Sequence, residues 1–120
     1  MATYSKNHLS GSTGGQPIKV AATSSAGTTI HSTGTSSADI DEIWIYANNS
    51  SGSDEKLTIE YGGTTYPDNL IELTISAESG LVLVIPGLTL SGDGSSARTV
   101  SAFSQNINVI NITGYVNRIS

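Results

Sequence analysis

The sequence predicts an all-β protein: an antiparallel, jelly-roll-like β-sandwich of about eight strands. Ser, Thr, Asn and Gly make up 54 of the 120 residues, a composition that suits strands and turns better than helices. Short segments alternate between apolar and polar residues, and turn residues separate them at short intervals. No segment has a sustained helical period, so each sheet must bury its apolar face against another sheet.

The first element is a polar arm. Residues 1–16 are rich in Gly, Ser and Thr and contain too few apolar side chains to offset the entropy of ordering. We therefore predict a flexible arm over residues 1–16 and a sandwich domain over residues 17–120. Two states of the arm are open: a disordered terminus, or a segment that orders against a neighbouring subunit through Tyr4 and Leu9.

Seven segments of the domain have strand patterns bounded by Gly, Pro, Asn or Ser. These segments are residues 17–22, 27–33, 39–61, 66–76, 80–92, 97–104 and 107–119. Residues 39–61 are predicted to form a hairpin of two strands around a polar turn. Pro86-Gly87 interrupts the apolar run of residues 80–92, which continues through Leu88 and Leu90.

Two of these strands are apolar on both faces. In residues 42–47, Ile43 and Ile45 lie on one face and Trp44 and Tyr46 on the other. The run LVLVI at residues 81–85 is likewise apolar throughout. Such strands are usually covered on both sides, and a two-layer fold has no third layer of its own, so we predict contact with another subunit or protein. Alternatively, Trp44 and Tyr46 point inward, or the arm covers them.

The predicted contact residues are large and apolar or aromatic. They are Trp44, Tyr46, Val82, Val84, Tyr4 and Leu9.

Charge and composition argue against several classes of partner. The net charge is -5 and the five basic residues are scattered, so we expect no nucleic-acid binding. No apolar run approaches a membrane span, and no apolar region follows the N-terminus, so we expect neither a membrane anchor nor a signal peptide. The absence of cysteine excludes disulfides and zinc–thiolate sites.

No catalytic, metal or cofactor site is predicted, and we do not expect an enzyme. His31 has no recognisable partner for a Ser-His-Asp arrangement and is expected to be a polar strand residue. Asp39 and Asp41 share a strand face and could bind a hard cation weakly. Asp54 and Glu55 are expected to be solvated in the turn of the hairpin.

Six stretches together resemble a group of small virion proteins of tailed bacteriophages. They are IKVAAT, GTTIH, DEIWIYANN, KLTIEYGGTT, GLVLVIPG and GYVNRI. The resemblance covers roughly residues 3–119, and none of these motifs is catalytic. It implies a β-sandwich that acts by assembly.

The resemblance favours a capsid decoration (cement) protein. Such a protein binds the major capsid protein on the surface of the virion, acts as a homo-oligomer, expected to be a trimer, and is made in the cytoplasm of the bacterial host. Two alternatives are open: a neck, adaptor or tail component, and a carbohydrate- or receptor-binding module.

Overall fold

The computed structural model describes residues 3–120, which form nine strands in two antiparallel sheets. The strands are β1 (Tyr4–His8), β2 (Ile18–Lys19), β3 (Thr28–Ser32), β4 (Ile40–Asn49), β5 (Glu55–Tyr61), β6 (Leu70–Ile75), β7 (Val82–Leu90), β8 (Thr99–Ser104) and β9 (Ile110–Ile119). The predicted all-β sandwich is thereby confirmed. No helix in this part of the chain is long and apolar enough to cross a membrane.

The strand order is that of a jelly roll. Sheet I has the order β1-β9-β4-β7, and β2 pairs with the other half of β9. Sheet II has the order β3-β8-β5-β6. The chain thus behaves like one long hairpin that has been rolled up: β5 pairs with β6, β4 with β7, β3 with β8, and β1 and β2 with β9.

The core lies between the two sheets. Its fully buried side chains are mainly isoleucines, including Ile43 and Ile45 of β4, Ile59 of β5 and Ile112 of β9. Replacing one such side chain by alanine costs about 2–5 kcal/mol, more than a typical surface contact contributes. Burial of these side chains fixes which face of each strand points inward. The alternate residues of each strand are therefore left on the outer face.

The predicted hairpin of residues 39–61 is wrong in its pairing, although both of its strands exist. β4 belongs to sheet I and β5 to sheet II, so the link between them crosses the sandwich. Asn49 holds this corner: its Nδ2 donates to the carbonyls of Ser53 at 2.7 Å and Ile75 at 3.0 Å, and its Oδ1 accepts from the Ser51 amide at 2.9 Å. A crossing link and a tight hairpin have the same apolar pattern, so alternation alone does not separate them.

The N-terminal segment also differs from the flexible arm that we predicted. β1 pairs with β9 from Tyr4 opposite Ile119 to His8 opposite Tyr115, and Leu9 is 1% exposed in the core. Backbone hydrogen bonds to β9 order this segment, although it has few apolar side chains to bury. The sandwich therefore begins at β1 rather than at residue 17, while residues 1 and 2 lie outside the described residues.

Candidate interaction surface

The outer face of sheet I carries the aromatic residues of β4. Ile43 and Ile45 are fully buried, whereas Trp44 and Tyr46 are only partly buried and face outward. This confirms the predicted facing of the strand and excludes the alternative in which the two aromatic residues point inward. That a partner covers this face stays a prediction.

Trp44 packs in a layer formed by three strands. It lies directly opposite Tyr115 of β9, and the two rings stack with centroids 6.3 Å apart and planes 15° apart. The Lys6 Nζ atom of β1 lies 4.4 Å from the centroid of the Tyr115 ring, a cation–π contact.

Gly87 of β7 provides the space for the indole. A Cβ atom at this position would lie 2.7 Å from the Cζ2 atom of Trp44, and the residue has a φ of 79°. Both observations favour glycine, since other residues rarely adopt this conformation and would collide with the ring. The sequence shows Pro86-Gly87 as an interruption of the strand. In the structure the Trp44 side chain packs on Gly87 of this pair.

Glu42 holds the indole from the other side. Its Oε1 atom accepts hydrogen bonds from Trp44 Nε1 at 2.8 Å and from Asn117 Nδ2 at 3.0 Å. These two donors hold the pKa of the Glu42 carboxyl below its usual value. The Oε2 atom makes no hydrogen bond within residues 3–120, so it can accept one from a partner or ligand.

β7 forms a free edge beside this face. Within the described residues it pairs only with β4, and residues 79–92 contain no charged side chain. Leu81, Leu83 and Leu88 are 66%, 45% and 43% exposed. An apolar edge without charge is a site at which another protein can bind, although Pro86 removes one backbone donor from it.

The remaining predicted contact residues fall in different places. Val82 and Val84 pack against the core, because as inner residues of an edge strand they face sheet II. The exposed residues of the run are Leu81 and Leu83, and Leu83 lies opposite Tyr46. Tyr4 is 72% exposed and lies opposite Ile119. Leu9 is used within the core of the chain itself, as described above.

The outer face of sheet II is covered by the chain itself around Glu60, whereas Lys56, Glu72 and Thr74 on the same face are exposed. Glu60 of β5 is fully buried beneath the link between β2 and β3. Its Oε1 atom accepts from the Gly27 amide and the Ser101 hydroxyl, each at 2.7 Å, and its Oε2 atom accepts from the Ser25 hydroxyl at 2.5 Å. Burial alone would raise the pKa of Glu60, but these hydrogen bonds outweigh it and lower the pKa.

Glu55, expected to be solvated, is instead 2% exposed and accepts from the Asn106 amide and Nδ2, each at 2.8 Å.

A further buried carboxylate lies in the interior, near one end of the sandwich. Asp41 is 1% exposed and accepts from Arg118 Nε at 2.7 Å and Nη2 at 2.9 Å. His31 Nε2 lies 2.7 Å from Asp41 Oδ2. Because His31 Nδ1 accepts from the Ser10 amide at 3.0 Å, Nε2 carries the proton and donates it to Asp41. Burial would raise the pKa of Asp41, but the bonds from Arg118 and His31 outweigh it and lower the pKa.

This cluster is not arranged to activate a nucleophile. Both ring nitrogens of His31 are engaged, and the Ser10 hydroxyl accepts from the Ser32 amide at 2.7 Å. The partners of Asp41 lie 10 and 77 residues away in the sequence, which is why no local pattern revealed them. Of the Asp39/Asp41 pair considered above for a hard cation, Asp41 is instead bound by Arg118 and His31. Within residues 3–120 no group of three or more His, Cys, Asp or Glu is placed to hold a metal ion.

Comparison with known proteins adds no family assignment. No protein-family model matches the chain, and no curated protein is significantly similar to it.

Proposed function

We propose that the chain is a non-enzymatic structural protein of a tailed-phage virion, a capsid decoration protein that binds the major capsid protein at the head surface as a homo-oligomer. The observation that carries this proposal is the outer face of sheet I, where Trp44, Tyr46 and Leu83 lie beside an uncharged strand edge. The sequence resemblance described above supplies the virion context and the expectation of a trimer.

The chemistry of this face suits a protein partner. Interfaces are enriched in aromatic residues and depleted of charge at their centre, and binding energy concentrates in Trp and Tyr side chains held in fixed positions. Trp44 is fixed by Tyr115, Glu42 and Gly87, so little side-chain entropy remains to be lost on binding.

Association also suits a decoration function. A protein that binds a repeating shell gains from presenting several copies of one weak surface, because each bound copy raises the effective concentration of the next. Such a protein needs a rigid scaffold and an adhesive surface rather than a reactive group.

The oligomeric state is the first test. Native mass spectrometry should detect a multiple of the 12.4 kDa chain, with three copies expected. Leu83→Lys places a charge on the free edge and should shift the spectrum to the monomer. Ile107→Lys is the matched control, since it adds the same charge at a residue that is 57% exposed in the loop between β8 and β9. A monomeric wild-type chain would contradict the oligomer.

Location in the virion is the second test. Immunogold electron microscopy with an antibody against the chain should label the head shell of the phage that encodes it. Label at the neck or tail would replace decoration by the neck, adaptor or tail alternative. Virions without label, in a preparation where the major capsid protein is labelled, would overturn the virion proposal.

A second candidate function is carbohydrate binding on the same face. The stacked Trp44–Tyr115 pair and the free Oε2 atom of Glu42 together favour it, since sugars pack on aromatic rings and donate hydroxyls to carboxylates. Trp44 is the only tryptophan of the chain, so tryptophan fluorescence, excited selectively over the tyrosines, reports on this face alone. Saturable quenching by a neutral oligosaccharide would support this candidate, and unchanged fluorescence across a glycan panel would remove it.

A further inference from the structure

A cleft of about 460 Å³ opens at the end of the sandwich where β4, β6 and β8 begin and β5 and β7 end. It lies away from the aromatic residues Trp44 and Tyr46 of the outer face. Its wall combines an aromatic ring, two aliphatic side chains, hydroxyl groups and one guanidinium, contributed by Tyr61, Ile40, Leu90, Ser37, Thr89, Ser91 and Arg98 together with Gly62 and Asn69.

The Tyr61 hydroxyl lacks a partner. Its oxygen is shielded from solvent and makes no hydrogen bond within residues 3–120. Burial, with a contribution from the negative charge of Asp41, raises the pKa of Tyr61 to about 12, so at neutral pH the group remains a donor without an acceptor. Buried polar groups are nearly always paired, and because Tyr61 lines the cleft, a ligand acceptor there is a candidate partner for this one.

Arg98 supplies a fixed cation at the cleft. Its Nη1 atom donates to the carbonyls of Ser91 at 2.9 Å and Gly92 at 3.2 Å, which fixes the guanidinium in place. The other N–H groups of the guanidinium donate to no atom of the described residues, and no carboxylate of residues 3–120 lies within salt-bridge distance. Two adjacent N–H groups of a guanidinium are the usual partners of a carboxylate.

The hydroxyl groups of the wall are also free. The side chains of Ser37, Thr89 and Ser91 make no hydrogen bond within the part of the chain that the structure describes. Ile40 and Leu90 add an apolar surface on which the carbon face of a small ring can pack.

We propose that this cleft binds a small hydroxylated carboxylate, such as a uronic acid unit, with its carboxylate on Arg98 and its ring beside Tyr61. Two acidic groups near the cleft are already engaged. Asp41 is bound by Arg118 and His31, and the Asp93 Oδ1 atom accepts from the amides of Ser95 and Ser96. These bonds partly compensate the charges of Asp41 and Asp93, and Arg98 itself also stabilises the negative charge of Asp93. An entering carboxylate therefore shares the field of Arg98 with Asp93.

Binding can be tested by titrating the full chain with D-glucuronate and following its amide signals by NMR. D-glucose is the neutral control, since it differs by a hydroxymethyl group in place of the carboxylate. We expect saturable shifts at Gly62, Ser91 and Gly92 with a dissociation constant on the order of 1 mM, and none with glucose at equal concentration. Equal responses to the two sugars, or shifts elsewhere only, would overturn the proposal.

Two matched variants locate the anion. Arg98→Gln should weaken glucuronate binding by about tenfold or more, because it removes the charged donor. Lys19→Gln removes an exposed positive charge on β2 and should leave binding unchanged. Circular dichroism verifies that Arg98→Gln folds. Unaltered binding by folded Arg98→Gln would contradict the assignment.

Tyr61→Phe separates a ligand contact from a structural role. Since the hydroxyl has no partner in the chain, its removal should leave the urea midpoint unchanged or raise it, while weakening glucuronate binding several-fold. A lowered urea midpoint with unchanged binding would show that the hydroxyl serves the fold instead. None of these measurements depends on the oligomeric state, so this proposal and the proposed function can fail separately.

Discussion

The outer faces of the two sheets differ in how far the chain itself covers them. On sheet II, the link between β2 and β3 covers Glu60, and every donor aimed at that carboxylate comes from the chain itself. On sheet I, Trp44 and Tyr46 remain partly exposed beside an unpaired strand edge. The same fold thus covers a buried carboxylate on one face and leaves aromatic side chains partly exposed on the other.

The difference suggests separate roles for the two outer faces. The covered part of sheet II uses a buried carboxylate and small residues such as Gly27, where an added Cβ atom would collide with the Ala102 carbonyl oxygen, to bring a loop tightly onto the sheet. The open face uses aromatic rings that are held rigidly but not covered. Stability should therefore depend more on the first face, and association on the second.

The largest effect is expected at Glu60. Glu60→Ala leaves the Gly27 amide and the hydroxyls of Ser25 and Ser101 without their acceptor, so the free energy of unfolding should fall by about 3 kcal/mol in urea titrations. The control is Glu72→Ala, which removes an exposed carboxylate paired with Lys56 on the same face and should cost far less, because exposed ion pairs contribute little. Equal losses in the two variants would show that the covered Glu60 cluster contributes little.

Gly87 gives a smaller effect that depends on its neighbour. Gly87→Ala should cost about 2 kcal/mol, because the methyl group meets the Trp44 ring and the positive φ is strained. In a Trp44→Ala background the collision disappears and only the backbone strain of about 1 kcal/mol should remain. A double-mutant cycle measures this coupling. Strictly additive losses would mean that the indole is not seated on Gly87.

Acid should act on the buried carboxylates. The pKa values of Asp41 and Glu60 are lower in the folded than in the unfolded chain, so the unfolded chain binds more protons as the pH falls. The free energy of unfolding should be level between about pH 5 and 7 and decrease below about pH 4.

Glu60→Gln isolates one of these contributions. This variant should be less stable at pH 7 but lose less stability on acidification, as measured by urea titrations at each pH. Parallel curves for wild type and variant would assign the acid sensitivity to Asp41 or to other groups.

The smallest effect is expected on the open face. Lys6→Gln removes the cation above Tyr115 and should cost about 0.5 kcal/mol, since exposed cation–π contacts contribute little. Arg118→Gln serves for contrast, because it leaves Asp41 buried without its bidentate partner and should cost several times more. A loss at Lys6 as large as that at Arg118 would mean that the open face is a major part of the fold.

The alternation of apolar and polar residues predicted the strands and the direction in which their side chains face. The facing of Ile43 and Trp44 follows from period-two alternation, and the strand segments after the arm correspond to β2 through β9. The structure of the N-terminal segment and the partners of Asp41 were not predicted, because both depend on residues distant in the sequence. β1 forms because β9 offers backbone groups at the other end of the chain, and Asp41 is charged and buried because Arg118 folds back onto it. Neither relation leaves a local signal.

The nested pairing of the strands has a consequence for the order of folding. Of the antiparallel pairs, β5–β6 closes a short loop, and each pair outward from it closes a longer one, up to β1–β9. Closure of long loops is entropically costly, so we expect slow refolding, in milliseconds to seconds, that proceeds outward from β5–β6. Because β9 lies between β1 and β4, sheet I is incomplete until the last strand has left the ribosome. Pulsed hydrogen exchange during refolding should show amides of β5 and β6 protected before those of β1, and the reverse order would refute this sequence of events.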